Sequence, residues 1–140
     1  MNWRGWLALL MVLPVAAAAS DDALIRAAER GDLAVLRSLL DAGSGVNARD
    51  ARGRNAVLAA TQRGHVEAAR LLIVRGADVN AQDDIRDSAF LLAGARGHAE
   101  IVRLAIAAGA DLKSTNRYGG TALIPACHYG HVETVRVLLG

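Results

Sequence analysis

Cysteine is almost absent: Cys127 is the only one in 140 residues. An intrachain disulfide is therefore impossible, and so is a structural zinc site built on several thiolates. Aromatic residues make up 4% of the chain and proline occurs twice. Runs of β-branched and aromatic residues are few, which argues against an all-β domain. An excess of one charge is missing as well. Lys+Arg number 16 against 14 Asp+Glu, a formal +2, so the chain is neither a strongly basic nucleic-acid binder nor the carrier of an acidic tail. Lysine itself is reduced to Lys113 beside 15 arginines, a bias that points to a GC-rich bacterial genome rather than to a function.

What is present is alanine, 29 residues of it, in a chain that is 53% hydrophobic. Alanine has the best helix propensity and lets backbones approach closely, so the composition suits packed helices. The length fits one ordinary domain or one short solenoid.

Residues 1–19 read as a secretory signal peptide. Arg4 is the one charge of its n-region, Trp6 to Leu13 is its apolar core, and Ala17-Ala18-Ala19 forms a small-residue cleavage pattern that predicts a mature start at Ser20. The apolar stretch, about 14 residues, is shorter than the roughly 20 that span a bilayer, so no stable membrane anchor is expected after cleavage. Removal of the segment lowers the formal charge by the one unit of Arg4. In a Gram-negative bacterium the destination is the periplasm.

The remainder, residues 20–140, is one motif written nearly four times. Gly64-His65, Gly97-His98 and Gly130-His131 follow one another at intervals of 33 residues. Gly43, Gly76 and Gly109 keep the same period, as do Glu67, Glu100 and Glu133. Several independent positions holding one period of this length mark a repeat architecture. In each unit a short helix of small residues (Asn55 to Arg63, Ser88 to Arg96, Thr121 to Tyr129) ends at a glycine. A second, amphipathic helix follows, such as Val66 to Val74, in which Ala69, Leu72 and Ile73 share a face. An extended, turn-rich stretch then leads into the next unit. The units run over about 21–49, 50–82, 83–115 and 116–140, the last incomplete.

These residues resemble the ankyrin repeat family, most closely in DARGRNAVLAATQRGHVEAARLLIVRGADVNA from Asp50 to Ala81. The resemblance covers nearly the whole chain after the leader. It implies an all-α repeat solenoid of stacked helix-turn-helix units with β-hairpin fingers, and a binding role for the concave face made by fingers and first helices. Each unit departs from the family in lacking the proline and histidine of the T-P-L-H tetrapeptide. Asn55, Ser88 and Thr121 remain as helix N-cap candidates, and apolar contacts are expected to replace the histidine's ties between fingers. Arg86 stands where Gly53 and Gly119 occupy the finger, which predicts a distorted second finger. Pro125 predicts a bent helix start in the fourth unit. Asp21 or Asp22 is expected to cap the first helix. The next stop glycine, one period after Gly109, would fall beyond Gly140, so two expectations stand: the chain is part of a longer array with a polar cap, which the need for a polar outer face favours, or a partner covers its end.

Chemistry is hard to find. His65, His98 and His131 recur once per repeat, but stacked helices lie roughly 8–10 Å apart, too far for them to share a metal ion. Cys127 falls in the column of Ala28, Thr61 and Gly94 and is expected to be a buried, inert thiol. Cys127 and His128, adjacent on a helix, do not face each other. No phosphate-binding glycine loop, nucleophile elbow or zinc-protease motif occurs. The chain is therefore expected to have no enzyme activity, no cofactor, no metal and no nucleic-acid partner. The partner expected is another protein, bound by a monomer. Its contacts fall on positions that the repeat leaves free. In the fingers these are Arg52 and Arg54, then Asp84, Ile85 and Asp87, then Arg117 and Tyr118. At the first-helix ends they are Arg63, Arg96, His128 and Tyr129. Tyrosine and arginine are enriched at interface hot spots. An alternative comes from the resemblance alone: similar exported bacterial proteins are linked to catalase and peroxide defence, which implies an accessory role in envelope stress.

Overall fold

The computed structural model describes residues 20–140; the expected leader, residues 1–19, lies outside the described residues. Among the described residues eight helices follow one another: α1 over residues 20–30, α2 Leu33–Asp41, α3 Ala56–Gln62, α4 Val66–Val74, α5 Ala89–Arg96, α6 Ala99–Ala107, α7 Leu123–His128 and α8 Val132–Leu139. No strand occurs among the described residues, so the fingers are turns rather than paired strands. Helices α3, α5 and α7 each pack against the even-numbered helix that follows and against one another in order, and α2, α4, α6 and α8 form a second layer in the same order.

Position in the stack decides burial. Helices α3 and α5 are enclosed on all sides, and Ala56 to Thr61 and Ala89 to Gly94 are buried throughout. Only small residues permit this: a Cβ on Gly94 would fall 2.6 Å from that of Ala122 in the next unit. The second-layer helices bury one stripe each, such as Ala68, Ala69 and Leu72, or Ile101, Val102 and Ala105. Phe90, Leu24, Leu36 and Leu58 are the largest side chains of the core.

The Gly-His pairs are a packing device between units. A Cβ on Gly31 would meet Nδ1 of His65 at 2.7 Å, one on Gly64 would meet Cε1 of His98 at 3.0 Å, and one on Gly97 would meet Nδ1 of His131 at 2.6 Å. Each imidazole lies against the glycine of the unit before it. The same glycines hold φ near +70°, so two constraints select them.

Several local expectations are corrected. Asn55 and Ser88 cap α3 and α5, accepting from the amides of Leu58 and Leu91 at 3.0 and 3.1 Å. Thr121 caps nothing: α7 starts at Leu123 after Ala122. That late start places Pro125 in the first turn, where its missing N–H is no loss. Asp21 does not cap α1, which already includes residue 20; its Oδ1 accepts from the amide of Gly45 at 2.7 Å. Arg86 does not distort its finger but takes up the glycine conformation, φ 63°. Cys127 is exposed, whereas Ala28, Thr61 and Gly94 in its column are buried. The first helix of a following unit buries that column, and no such helix follows α8 among the described residues. Leu58 and Leu91 are likewise buried, while Ile124 of the same column is 60% exposed.

Candidate interaction face

Each finger is built around one carboxamide or carboxylate. Asp50 Oδ1 accepts from the amides of Arg52 and Arg54, Asp83 Oδ1 from those of Ile85 and Asp87, and Asn116 Oδ1 from those of Tyr118 and Gly120. A backbone bond closes each loop, from Asp50 to Arg54, Asp83 to Asp87 and Asn116 to Gly120. Turn residues held this way project the tips outward. Hydrogen bonds, not apolar contacts alone, tie the fingers to one another. Asp84 N donates to Arg52 O at 3.0 Å, Arg49 to Gln82 O at 3.0 Å, and Gln82 Nε2 to Thr115 O at 2.9 Å. Behind them Asn47 and Asn80 repeat one device, each side chain bonding a carbonyl and an amide of the next unit.

The tips carry Arg52, then Asp84 and Ile85, then Arg117 and Tyr118, all exposed. The Arg117 guanidinium lies 4.8 Å over the Tyr118 ring, a cation–π contact. Arg63, Arg96, His128 and Tyr129 are exposed at the first-helix ends, with His128 edge-on to Tyr129 at 5.0 Å between ring centres. Tyr118, His128 and Tyr129 line one cleft of about 330 Å³ with Ile124 and Pro125.

Arg54 and Asp87 stand apart from the other expected contacts. They hold equivalent places in successive fingers and both turn inward. Arg54 donates to Asp50 at 2.9 Å and to Gln62 at 2.6 Å, approaches Glu29 at 3.5 Å, and its side chain is 12% exposed. Burial pushes the Asp50 carboxyl upward, but the amide and guanidinium of Arg54 and the amide of Arg52 outweigh it, and the net shift is down. Burial likewise lowers Arg54, and Asp50 reverses it, for a net rise. Asp87 lacks such a partner: burial and then the charge of Asp83 raise its pKa, against the pull of Arg117 and Arg96. Arg54 braces its finger against the first helices through Gln62 and Glu29, and the outward charges of the fingers are those of Arg52, Asp84, Arg86 and Arg117.

The sequence reading missed the first unit. Arg26, Glu29 and Ile25 line a cleft with Arg52 and Arg54. A usable signal was present, since Arg30 precedes Arg63 and Arg96 in their column. On the opposite side, second-layer helices bind their charges to each other. Arg70 bridges Glu67 and Glu100, Arg103 bridges Glu100 and Glu133, and Arg136 approaches Glu133. Hydrogen bonds from Arg70 and Arg103 hold the Glu100 carboxyl below its usual range. No group of three or more potential metal ligands occurs among the described residues, and no described helix is long and apolar enough to cross a membrane.

The family description "Ankyrin repeats (3 copies)" matches residues 7–83 and 73–140. This chain belongs to the ankyrin repeat family. A crystal structure of an ankyrin repeat domain from Acinetobacter baumannii AYE is 51% identical over 83% of this chain, with a TM-score of 0.80. The match spans 59% of that protein's chain. No curated protein matches at a significant level. Ankyrin repeats generally mediate protein–protein interaction, and ankyrin domains are typically non-enzymatic.

Proposed function

We propose that this ankyrin protein is a non-enzymatic interaction module of the bacterial periplasm, and that a protein partner docks across its fingers and first-helix ends. The observation that carries the reading is an asymmetry of commitment. On the second-layer face the arginines and glutamates neutralise one another in a continuous ladder. On the finger face Arg52, Asp84, Arg117, Tyr118 and Tyr129 point into solvent, with Tyr118 78% exposed. Rigid loops presenting arginine and tyrosine meet the composition of an interface core. The fingers carry Arg52, then Asp84 beside Arg86, then Arg117, so the one outward carboxylate sits on the middle finger, a pattern that would fix the register of a partner with a matching cation.

Two measurements test this. The mature protein from a periplasmic fraction should start near Ser20 by mass spectrometry; an intact Met1 in the cytosol would refute export. For binding, a partner captured from envelope extract is titrated against variants. Arg52→Glu should slow association and alter its salt dependence, and Tyr118→Ala should cost on the order of 2 kcal/mol, mainly in dissociation rate. Arg37→Glu on α2 serves as the control for the opposite face. Should that control abolish binding while both finger variants bind normally, the face is misassigned.

A further inference from the structure

A row of arginines crosses the floor beneath the fingers. Arg30, Arg63 and Arg96 hold equivalent places at the ends of α1, α3 and α5, and all three are exposed. Tyr129 takes the fourth place. Arg63 and Arg96 both reach back along the stack, the first to within 3.9 Å of Glu29 and the second donating to the carbonyl of Gln62. Of the carboxylates nearby, half-buried Asp87 lies within the field of Arg96 and Arg117 without pairing to either, and Glu29, Asp50 and Asp83 are already engaged. Glu29 is shared by Arg54 and Arg63, Asp50 is held by Arg54, and Asp83 is 9% exposed with its Oδ1 occupied by two amides. On this face Arg26, Arg30, Arg52, Arg63, Arg86, Arg96 and Arg117 are exposed, against Asp22 and Asp84.

We infer that this floor takes an extended acidic peptide segment with a carboxylate at every third residue, one for each arginine of the row. The inference rests on the interaction face proposed above and adds the chemistry of its ligand. Spacing is the reason. Packed helices stand roughly 8–10 Å apart, and an extended chain in the polyproline II conformation advances about 3.1 Å per residue with three residues per turn, so three residues span one repeat and every third side chain faces the floor. The guanidinium fork matches a carboxylate in a two-pronged bond. Tyr129, next in the row, offers a ring where the segment continues with an apolar side chain. A nucleic acid fits less well, because duplex charge recurs about every 1.7 Å and rewards cationic density rather than register.

The test uses three synthetic peptides with a fluorescent label. One carries Glu at every third position between Gly and Ser, one groups the same Glu residues together, and one replaces each Glu by Gln. The spaced peptide should bind about 10-fold tighter than the Gln peptide and about 5-fold tighter than the grouped one, with the difference shrinking at high salt. Arg63→Glu with Arg96→Glu should weaken it at least about 10-fold, Arg63→Gln with Arg96→Gln less, and Arg37→Glu less than about 2-fold. Equal affinity for spaced and grouped peptides overturns the inference, as does equal loss in Arg37→Glu. So does a single-stranded oligonucleotide of matched charge that competes equally well. Hydrogen exchange separates the two levels of the argument. A Gln peptide that protects the fingers as well as the acidic one leaves the interaction face standing and removes the acidic row. Protection by the peptides on α4 and α6 instead removes both.

Discussion

At Arg86 the backbone is held at φ 63°, in the left-handed region where Gly53 and Gly119 stand one repeat away. For a residue with a Cβ that conformation costs roughly 1–2 kcal/mol. The surrounding loop enforces it. Asp83 receives two amides, the Asp83 amide donates to Asp87 O at 2.8 Å, and Gln82 Nε2 donates to the Arg86 carbonyl at 2.9 Å. Arg86→Gly should therefore raise stability by about 0.5–1 kcal/mol after the entropy cost of glycine, seen as a higher urea midpoint with unchanged slope. A lower midpoint would mean that the arginine side chain contributes more than its backbone costs. Thr134 is the second residue-scale oddity, buried with its hydroxyl unpartnered where Ala68 and Ile101 stand in the units before.

Between elements, two ladders run along the stack, and their settings differ. The Arg–Glu ladder over α4, α6 and α8 lies in solvent, where such pairs contribute about 0–1 kcal/mol each. The asparagine ladder joins backbone to backbone. Asn80 donates to Gly109 O at 3.1 Å and accepts from the Asp111 amide at 2.8 Å, two exposed bonds held by one short side chain, each contributing about 0.5–1.5 kcal/mol. Asn80→Ala should accordingly cost about 1–3 kcal/mol, and Arg103→Ala less than about 1 kcal/mol. Chemical denaturation of both variants checks the order; a reversal would show that water replaces the asparagine's bonds at no cost.

At the scale of the whole molecule His98 couples stability to pH. Burial, and then the charges of Arg96 and His131, depress the pKa of His98 below its ordinary 6.5. The unfolded chain then binds the proton more readily than the folded one. The contribution of His98 is present above about pH 6.5 and is lost as pH falls through its lower folded value. Melting temperature should drop between pH 7.5 and 5.5, and His98→Asn should flatten that drop. An equal drop in the variant would assign the acid sensitivity elsewhere. Asp87 works in the opposite sense at lower pH: its raised pKa means that protonation favours the folded state, in the window just above the ordinary carboxylate value of 3.8.

The 33-residue period determined the fold by itself, because each unit has an apolar stripe it can bury only against another unit. Glycine and cap residues marked most helix ends, since a left-handed turn or a free amide is a local demand that a single residue meets, as Asn55 and Ser88 do. Thr121 looks like Asn55 and Ser88 but caps nothing, because α7 starts two residues later at Leu123. Arg54 and Arg52 are two residues apart and equally polar in sequence. Only the packed stack, by bringing Asp50, Glu29 and Gln62 around one guanidinium, makes the first a brace and leaves the second at the tip. Periodicity fixes which positions are equivalent; burial and pairing depend on what lies across a gap of one repeat, and that is settled by tertiary contact.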